Sequence, residues 1–172
     1  GTTTRTADMA FYDGDDDSDI QFYASTTGSA GLEVKTNQKL YVWPGAHFIA
    51  SGTVQINGNA SGTSLTDGSF HLASSSSYTA GGETRVAGSF TASSTAVFNH
   101  REYQLLFNAS TTGKYINASL ESLGSTTFSG SGGGWTFATT STTTNFTIAQ
   151  GTVTGPASRL VITGDYTNSG GV

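Results

Sequence analysis

Ser51-Gly-Thr-Val-Gln-Ile-Asn-Gly58 decides the reading of this chain. Val54 and Ile56 are apolar, Gln55 between them is polar, and glycines stand near both ends. Alternation of period two over a few residues marks a strand with one buried face, and the flanking small residues supply turns. The pattern returns in Ser69-Phe-His-Leu72, sixteen residues on, and Val86 lies sixteen beyond Phe70. Later, Phe128 and Phe146 are eighteen apart, Trp135 and Val153 eighteen, and Phe146 and Tyr166 twenty. A recurrence of about 16–20 residues corresponds to one coil of a solenoid, whose repeats bury their apolar faces only by stacking.

The spacing therefore predicts an all-β chain folded as a parallel β-helix (β-solenoid), with a β-sandwich as the alternative. Strand signals of three to five residues, with small residues wherever the chain must turn, favour the solenoid. No window of eleven residues carries the helical period, so no helix longer than two turns is expected. Val54, Ile56, Phe70, Leu72, Val86, Phe146, Ile148, Val153, Leu160 and Ile162 occupy the apolar slots and should share one interior. Residues 1–31 read as a polar lead-in with an acidic loop, and 32–172 as a single solenoid-like domain.

Composition narrows the function. Thr, Ser and Gly make up 75 of the 172 residues, while charged residues are only 11%; an average domain has about 25%. Seven Lys plus Arg against twelve Asp plus Glu argue against a nucleic-acid groove. No apolar run approaches the ~18 residues of a membrane helix. With no cysteine there is no disulfide scaffold, zinc ribbon or thiol nucleophile. Nineteen aromatic residues and modest net charge argue against disorder. The chain opens without a leader sequence, as a mature product, a fragment or a cytosolic protein would. Its polar, nearly uncharged Ser/Thr surface points to an extracellular setting.

Five phrases carry a family likeness: Lys39-Leu-Tyr-Val-Trp-Pro-Gly45, Ser51–Gly58 as quoted, Gly130-Ser-Gly-Gly-Gly-Trp-Thr-Phe137, Asn145-Phe-Thr-Ile-Ala-Gln-Gly-Thr-Val153 and Ile162-Thr-Gly-Asp-Tyr-Thr-Asn-Ser-Gly170. Over residues 35–172 the chain resembles the long, repetitive β-helical, adhesin-like surface proteins of uncultivated candidate-phyla-radiation bacteria. The resemblance implies a secreted, extended surface module and brings no catalytic residues with it.

Among possible sites, Asp13, Asp15, Asp17 and Asp19 alternate along an acidic loop with Gly14. Oxygen ligands at such spacing suit Ca²⁺, although Ser18 and Ala24 stand where an EF-hand needs Gly and Glu; a solvated acidic loop is the other reading. Asn59, Asn108, Asn117 and Asn145 head Asn-x-Ser/Thr sequons, which serve as glycosylation sites in a secreting cell or simply as turn asparagines. His47, His71 and His100 are far apart and read as outward strand or corner positions. Glu33, Glu83, Glu102, Glu121 and Asp67 stand alone, without the motif of a glycosidase pair. Tyr41, Trp43, Tyr103 and Trp135 are candidates either for a sugar-stacking platform or for the core. Thr142–Thr144 and Thr152–Thr154 hint at an ice-binding array without regular stacking.

The expectation is a non-enzymatic structural or adhesive module of a cell-surface rod or filament. Its partners would be copies of itself or flanking repeats, with glycans and calcium as candidate ligands. A carbohydrate-binding or carbohydrate-active β-helix, of lyase or tail-spike type, is the alternative.

Overall fold

The computed structural model describes residues 3–5, 9–11, 19–22, 31–34, 39–58, 68–118 and 122–172. Among these residues there are twenty-one short strands and no helix. The strands wind into rungs. β1 (Thr3–Arg5), β2 (Met9–Phe11) and β3 (Asp19–Phe22) form the first, and β4 (Leu32–Val34), β5 (Leu40–Val42) and β6 (His47–Ala50) the second. β7 (Val54–Ile56), β8 (Phe70–Leu72) and β9 (Ser77–Thr79) form the third, and β10 (Thr84–Val86), β11 (Phe90–Ala92) and β12 (Val97–Asn99) the fourth. β13 (Leu105–Phe107) and β14 (Lys114–Ala118) belong to the fifth, and β15 (Thr126–Phe128), β16 (Gly134–Phe137) and β17 (Ser141–Thr143) to the sixth. β18 (Phe146–Ile148), β19 (Thr152–Thr154), β20 (Leu160–Ile162) and β21 (Tyr166–Asn168) complete the chain.

Along each side, strands pair with the equivalent strand of a neighbouring rung, always in parallel. The first side is the sheet β1-β4-β7-β10-β13-β15-β18-β21, and the second is β2-β5-β8-β11-β14-β16-β19. The third side is β3-β6-β9-β12, followed by the separate pair β17-β20. This is a β-solenoid. A sandwich would be built from antiparallel hairpins and Greek keys.

The register explains why these residues form these strands. On the first side, Leu32, Val54, Thr84, Leu105, Thr126 and Phe146 stand one above another facing inward, as do Val34, Ile56, Val86, Phe107, Phe128 and Ile148. Like side chains stack on like. Phe107 lies on Phe128 with ring centroids 5.0 Å apart and planes 11° apart, and Tyr78 lies on Phe98 at 5.5 Å and 18°. Seven of the ten expected interior residues are buried, from Val54 to Ile148. Val153, Leu160 and Ile162 pack on the same core but are only partly buried, because they lie in the last coil.

The coil length differs from the expectation. Successive first-side strands begin at Leu32, Val54, Thr84, Leu105, Thr126, Phe146 and Tyr166, so a coil takes 20 to 30 residues. The sixteen-residue step from Ile56 to Leu72 is the distance between two sides of one rung, not a repeat. Ile56 stacks instead on Val86, thirty residues on. Trp135 with Val153 and Phe146 with Tyr166 are true register partners.

Corners between the second and third sides are stacked β-turns. Ala46 N–H donates to the Trp43 carbonyl at 3.0 Å, Ser76 N–H to Ala73 at 3.3 Å and Ala96 N–H to Ser93 at 3.0 Å. Gly45 takes φ 76°, the left-handed value that the third residue of a Pro-Gly type II turn needs. Ser75 adopts φ 57° at the equivalent place, and its N–H donates to Thr95 Oγ1 at 3.0 Å. This corner sets Trp43 at the margin of the second side.

Candidate functional site: a trough on the outer face of the second sheet

Alternation sends Leu40 and Val42 into the core and leaves Lys39, Tyr41 and Trp43 outside. The same register repeats upward. Tyr41, His71, Thr91 and Asn117 form one outward column on β5, β8, β11 and β14. Two residues earlier, on the same outer face, lie Lys39, Ser69, Ser89 and Tyr115. The serines are small, so the second column sinks between the lysine and the tyrosine. A hollow of about 370 Å³ results, lined by Lys39, Tyr41, His71 and Tyr115 among others. A second hollow of about 380 Å³ adjoins it, reaching Pro44 and Ser93 and sharing Tyr41, His71, Thr91 and Asn117. Both fall within the range of small-ligand sites.

The aromatic groups are fixed in place. The Tyr41 ring lies on the His71 imidazole at 4.5 Å and 14°, and Trp43 meets Tyr41 edge-on at 5.5 Å and 67°. His71 Nδ1 hydrogen-bonds Thr91 Oγ1. Burial, assisted by the charge of Lys39, holds the His71 pKa below its ordinary 6.5, so the ring is neutral at pH 7. Trp43 is 42% exposed. The site thus offers aromatic surface, hydroxyls, an amide and one ammonium group. Among the described residues, no carboxylate lines either hollow.

The other sequence candidates are scattered. Asp13, Asp15, Asp17 and Asn59 lie outside the described residues, as do Asp67 and Glu121. Asp19 opens β3, in register with His47. Among the described residues no group of three His, Cys, Asp or Glu is placed to hold a metal ion. Asn117 is exposed in the trough. Asn108 is half-buried, and its Oδ1 is buried without a hydrogen-bond partner. Asn145 is exposed but acts as a staple: its amide donates to Ser125 Oγ at 3.2 Å and its Oδ1 accepts Asp165 N–H at 2.9 Å. His47 bonds Ser77 Oγ at 2.6 Å, and His100 accepts Glu102 N–H at 3.1 Å. Glu33 accepts from Asn57 at 2.9 Å on the first side, and Glu83 pairs with Arg85.

The aromatic candidates divide. Tyr41 lines the trough and Trp43 stands against it at the margin, Tyr103 is exposed elsewhere, and Trp135 is 1% exposed within the core. Thr143, from the suggested threonine array, also points inward. Sequence reading missed Lys39 and His71 as site residues. Their signal was alternation: in Lys39-Leu-Tyr-Val-Trp43 every second residue must leave the core on the same side. No helix among the described residues is long and apolar enough to cross a membrane. Comparison with known protein families, characterised proteins and solved structures finds no match.

Proposed function

We propose that this chain is an extracellular adhesive module: a stiff β-solenoid that binds glycans along the outer face of its second sheet. The observation that carries this reading is the exposed Trp43 and the Tyr41–His71 stack beside the two hollows. Trp43 and Tyr41 present flat rings, and a flat ring suits the apolar face of a sugar. Thr91, Asn117 and Tyr115 supply hydroxyl and amide partners for sugar hydroxyls. Because these groups sit on strands locked by a parallel ladder, little order is lost on binding. Binding of the parent protein to an oligosaccharide array, compared with Trp43→Ala and Tyr41→Ala, tests the reading. Loss of binding with unchanged melting supports it; an array blank for the parent protein, or binding untouched by both variants, refutes it.

Self-association end to end is a second reading, favoured by the last coil. Leu160, Val161 and Ile162 are half-exposed there and Tyr166 is 58% exposed, so another rung stacked on them would bury apolar surface. The partner would be a second copy or a flanking repeat. Mass that rises with concentration in light scattering supports this; a constant monomer mass refutes it for the isolated chain.

A further inference from the structure

Of the eight asparagines in the chain, Asn57 alone is followed by glycine. The others precede residues with side chains, which crowd the approach of the following backbone nitrogen to the asparagine's own Cγ; glycine lacks that obstacle. The fold requires this glycine, because a Cβ at Gly58 would lie 2.8 Å from the Ala87 carbonyl oxygen in the next rung. The asparagine is held as closely. Alternation along β7 sends Gln55 outward, and Asn57, two residues on, shares that outer face of the first sheet. Glu33 stands in register with Gln55 on the neighbouring strand β4. Gln55 Nε2 donates to Asn57 Oδ1 at 2.7 Å, and Asn57 Nδ2 donates to Glu33 Oε1 at 2.9 Å. A carboxylate only accepts, so the orientation of the Asn57 amide is fixed. All three residues are half-buried, and water reaches them.

This arrangement polarises the amide for attack by its own backbone. We propose that Asn57 is a site of spontaneous deamidation, converted to aspartate and isoaspartate, and that the conversion unties the second rung from the third. The Gly58 amide gives its proton to hydroxide, and its nitrogen forms a bond to Asn57 Cγ. Negative charge builds on Oδ1, to which the Gln55 N–H already donates. The Cγ–Nδ2 bond breaks, and Nδ2 takes a proton from water and leaves as ammonia. Water then opens the cyclic imide at either carbonyl. The sum exchanges one water for one ammonia and needs no oxidant or reductant. Aspartate at 57 sets an oxygen acceptor where a donor faced Glu33, so a hydrogen bond becomes a repulsion between carboxylates. Isoaspartate also inserts a methylene into the main chain at the residue whose N–H donates to the Val34 carbonyl at 2.9 Å. Both products act on the joint between β4 and β7.

Incubation of the folded protein in mildly alkaline buffer, followed by peptide mapping that separates aspartate from isoaspartate, is the test. Asn57 should convert before any other asparagine, with ammonia released in step. Gln55→Leu should slow the conversion about fivefold, the worth of one neutral hydrogen bond to the developing charge. The converted form, isolated by its added negative charge, should melt about 2–4 °C below the parent, the shift that one lost hydrogen bond gives in a chain of this size. Asn57→Asp should reproduce that loss, and adding Glu33→Gln should recover most of it, since an amide then faces the new carboxylate. Asn57 converting no sooner than the other asparagines, or not at all, overturns the proposal, as does a converted form that melts with the parent. An unchanged rate in Gln55→Leu overturns the assistance assigned to Gln55.

Discussion

Tyr78 Oη lies 2.7 Å from Thr84 Oγ1, and both side chains are sealed in the interior. Tyr78 ends the third rung on β9 and Thr84 opens the fourth on β10, so this bond fastens one coil to the next from inside. Tyr78→Phe strands the Thr84 hydroxyl and should cost about 1–3 kcal/mol in urea unfolding. Adding Thr84→Val removes the orphan and should recover part of that loss. Strictly additive losses in this double-mutant cycle would show that the bond contributes nothing.

The same phenol should report on alkaline stability. Burial drives its pKa far above the ordinary 10.0, and the Thr84 bond offsets only part of that shift. A folded-state pKa raised above the unfolded value means that the stabilising contribution is full below pH 10 and declines as pH rises beyond it. The melting temperature of the parent should therefore fall above pH 10 more steeply than that of Tyr78→Phe. Parallel curves would show that the phenol ionises freely in the native state.

His71 works in the opposite sense. Its pKa is lowered first by burial and then by Lys39, so its contribution is full above pH 6.5 and is lost as pH falls through the depressed folded value. Imidazole resonances followed by NMR should give a midpoint under 6.5. Lys39→Met should raise that midpoint without bringing it to 6.5, since burial, the larger cause, remains. An unmoved midpoint would mean that Lys39 exerts no field on the ring.

Position along the solenoid should grade the cost of truncation. Phe107 has no exposed surface and touches Phe90, Phe128 and Trp135, so Phe107→Ala should cost about 3–5 kcal/mol. Ile148→Asn places an amide in the same core and should cost about 2–5 kcal/mol. Tyr166 is 58% exposed and leans on Phe146, so Tyr166→Ala should cost well under 1 kcal/mol. Chemical denaturation of the three variants gives the comparison, and equal losses would contradict the burial gradient.

Apolar alternation made the solenoid legible, and it failed where the interior is polar. The strand Ser141–Thr143 carries no hydrophobic signal, yet Ser141 and Thr143 face inward. Thr143 Oγ1 lies 2.5 Å from the Gly124 carbonyl and 2.9 Å from that of Asn145, so its hydroxyl is satisfied by backbone. Phe90-Thr-Ala92 and Thr126-Thr-Phe128 escaped notice as strands for the same reason: small or hydroxylated residues fill one of their two inward slots. The trough was half legible. Tyr41 and Trp43 stood out as aromatic, but the columns that add Lys39, His71, Thr91 and Asn117 depend on register between strands up to thirty residues apart. A recurrence read as about 16–20 residues cannot supply steps of 30, 20 and 26.

The connection from β7 to β8 spans residues 57–69, whereas that from β10 to β11 spans 87–89. Both deliver the chain to the same row, with Phe70 and Phe90 in register. The ladder counts strands rather than residues, and lengthening a connection costs little, about 0.6 kcal/mol per doubling of a flexible loop. Added sequence therefore belongs in the long connection, which already holds thirteen residues where its counterpart holds three; at 87–89 Gly88 and Ser89 are buried, and an insertion there would disturb the packing of neighbouring rungs.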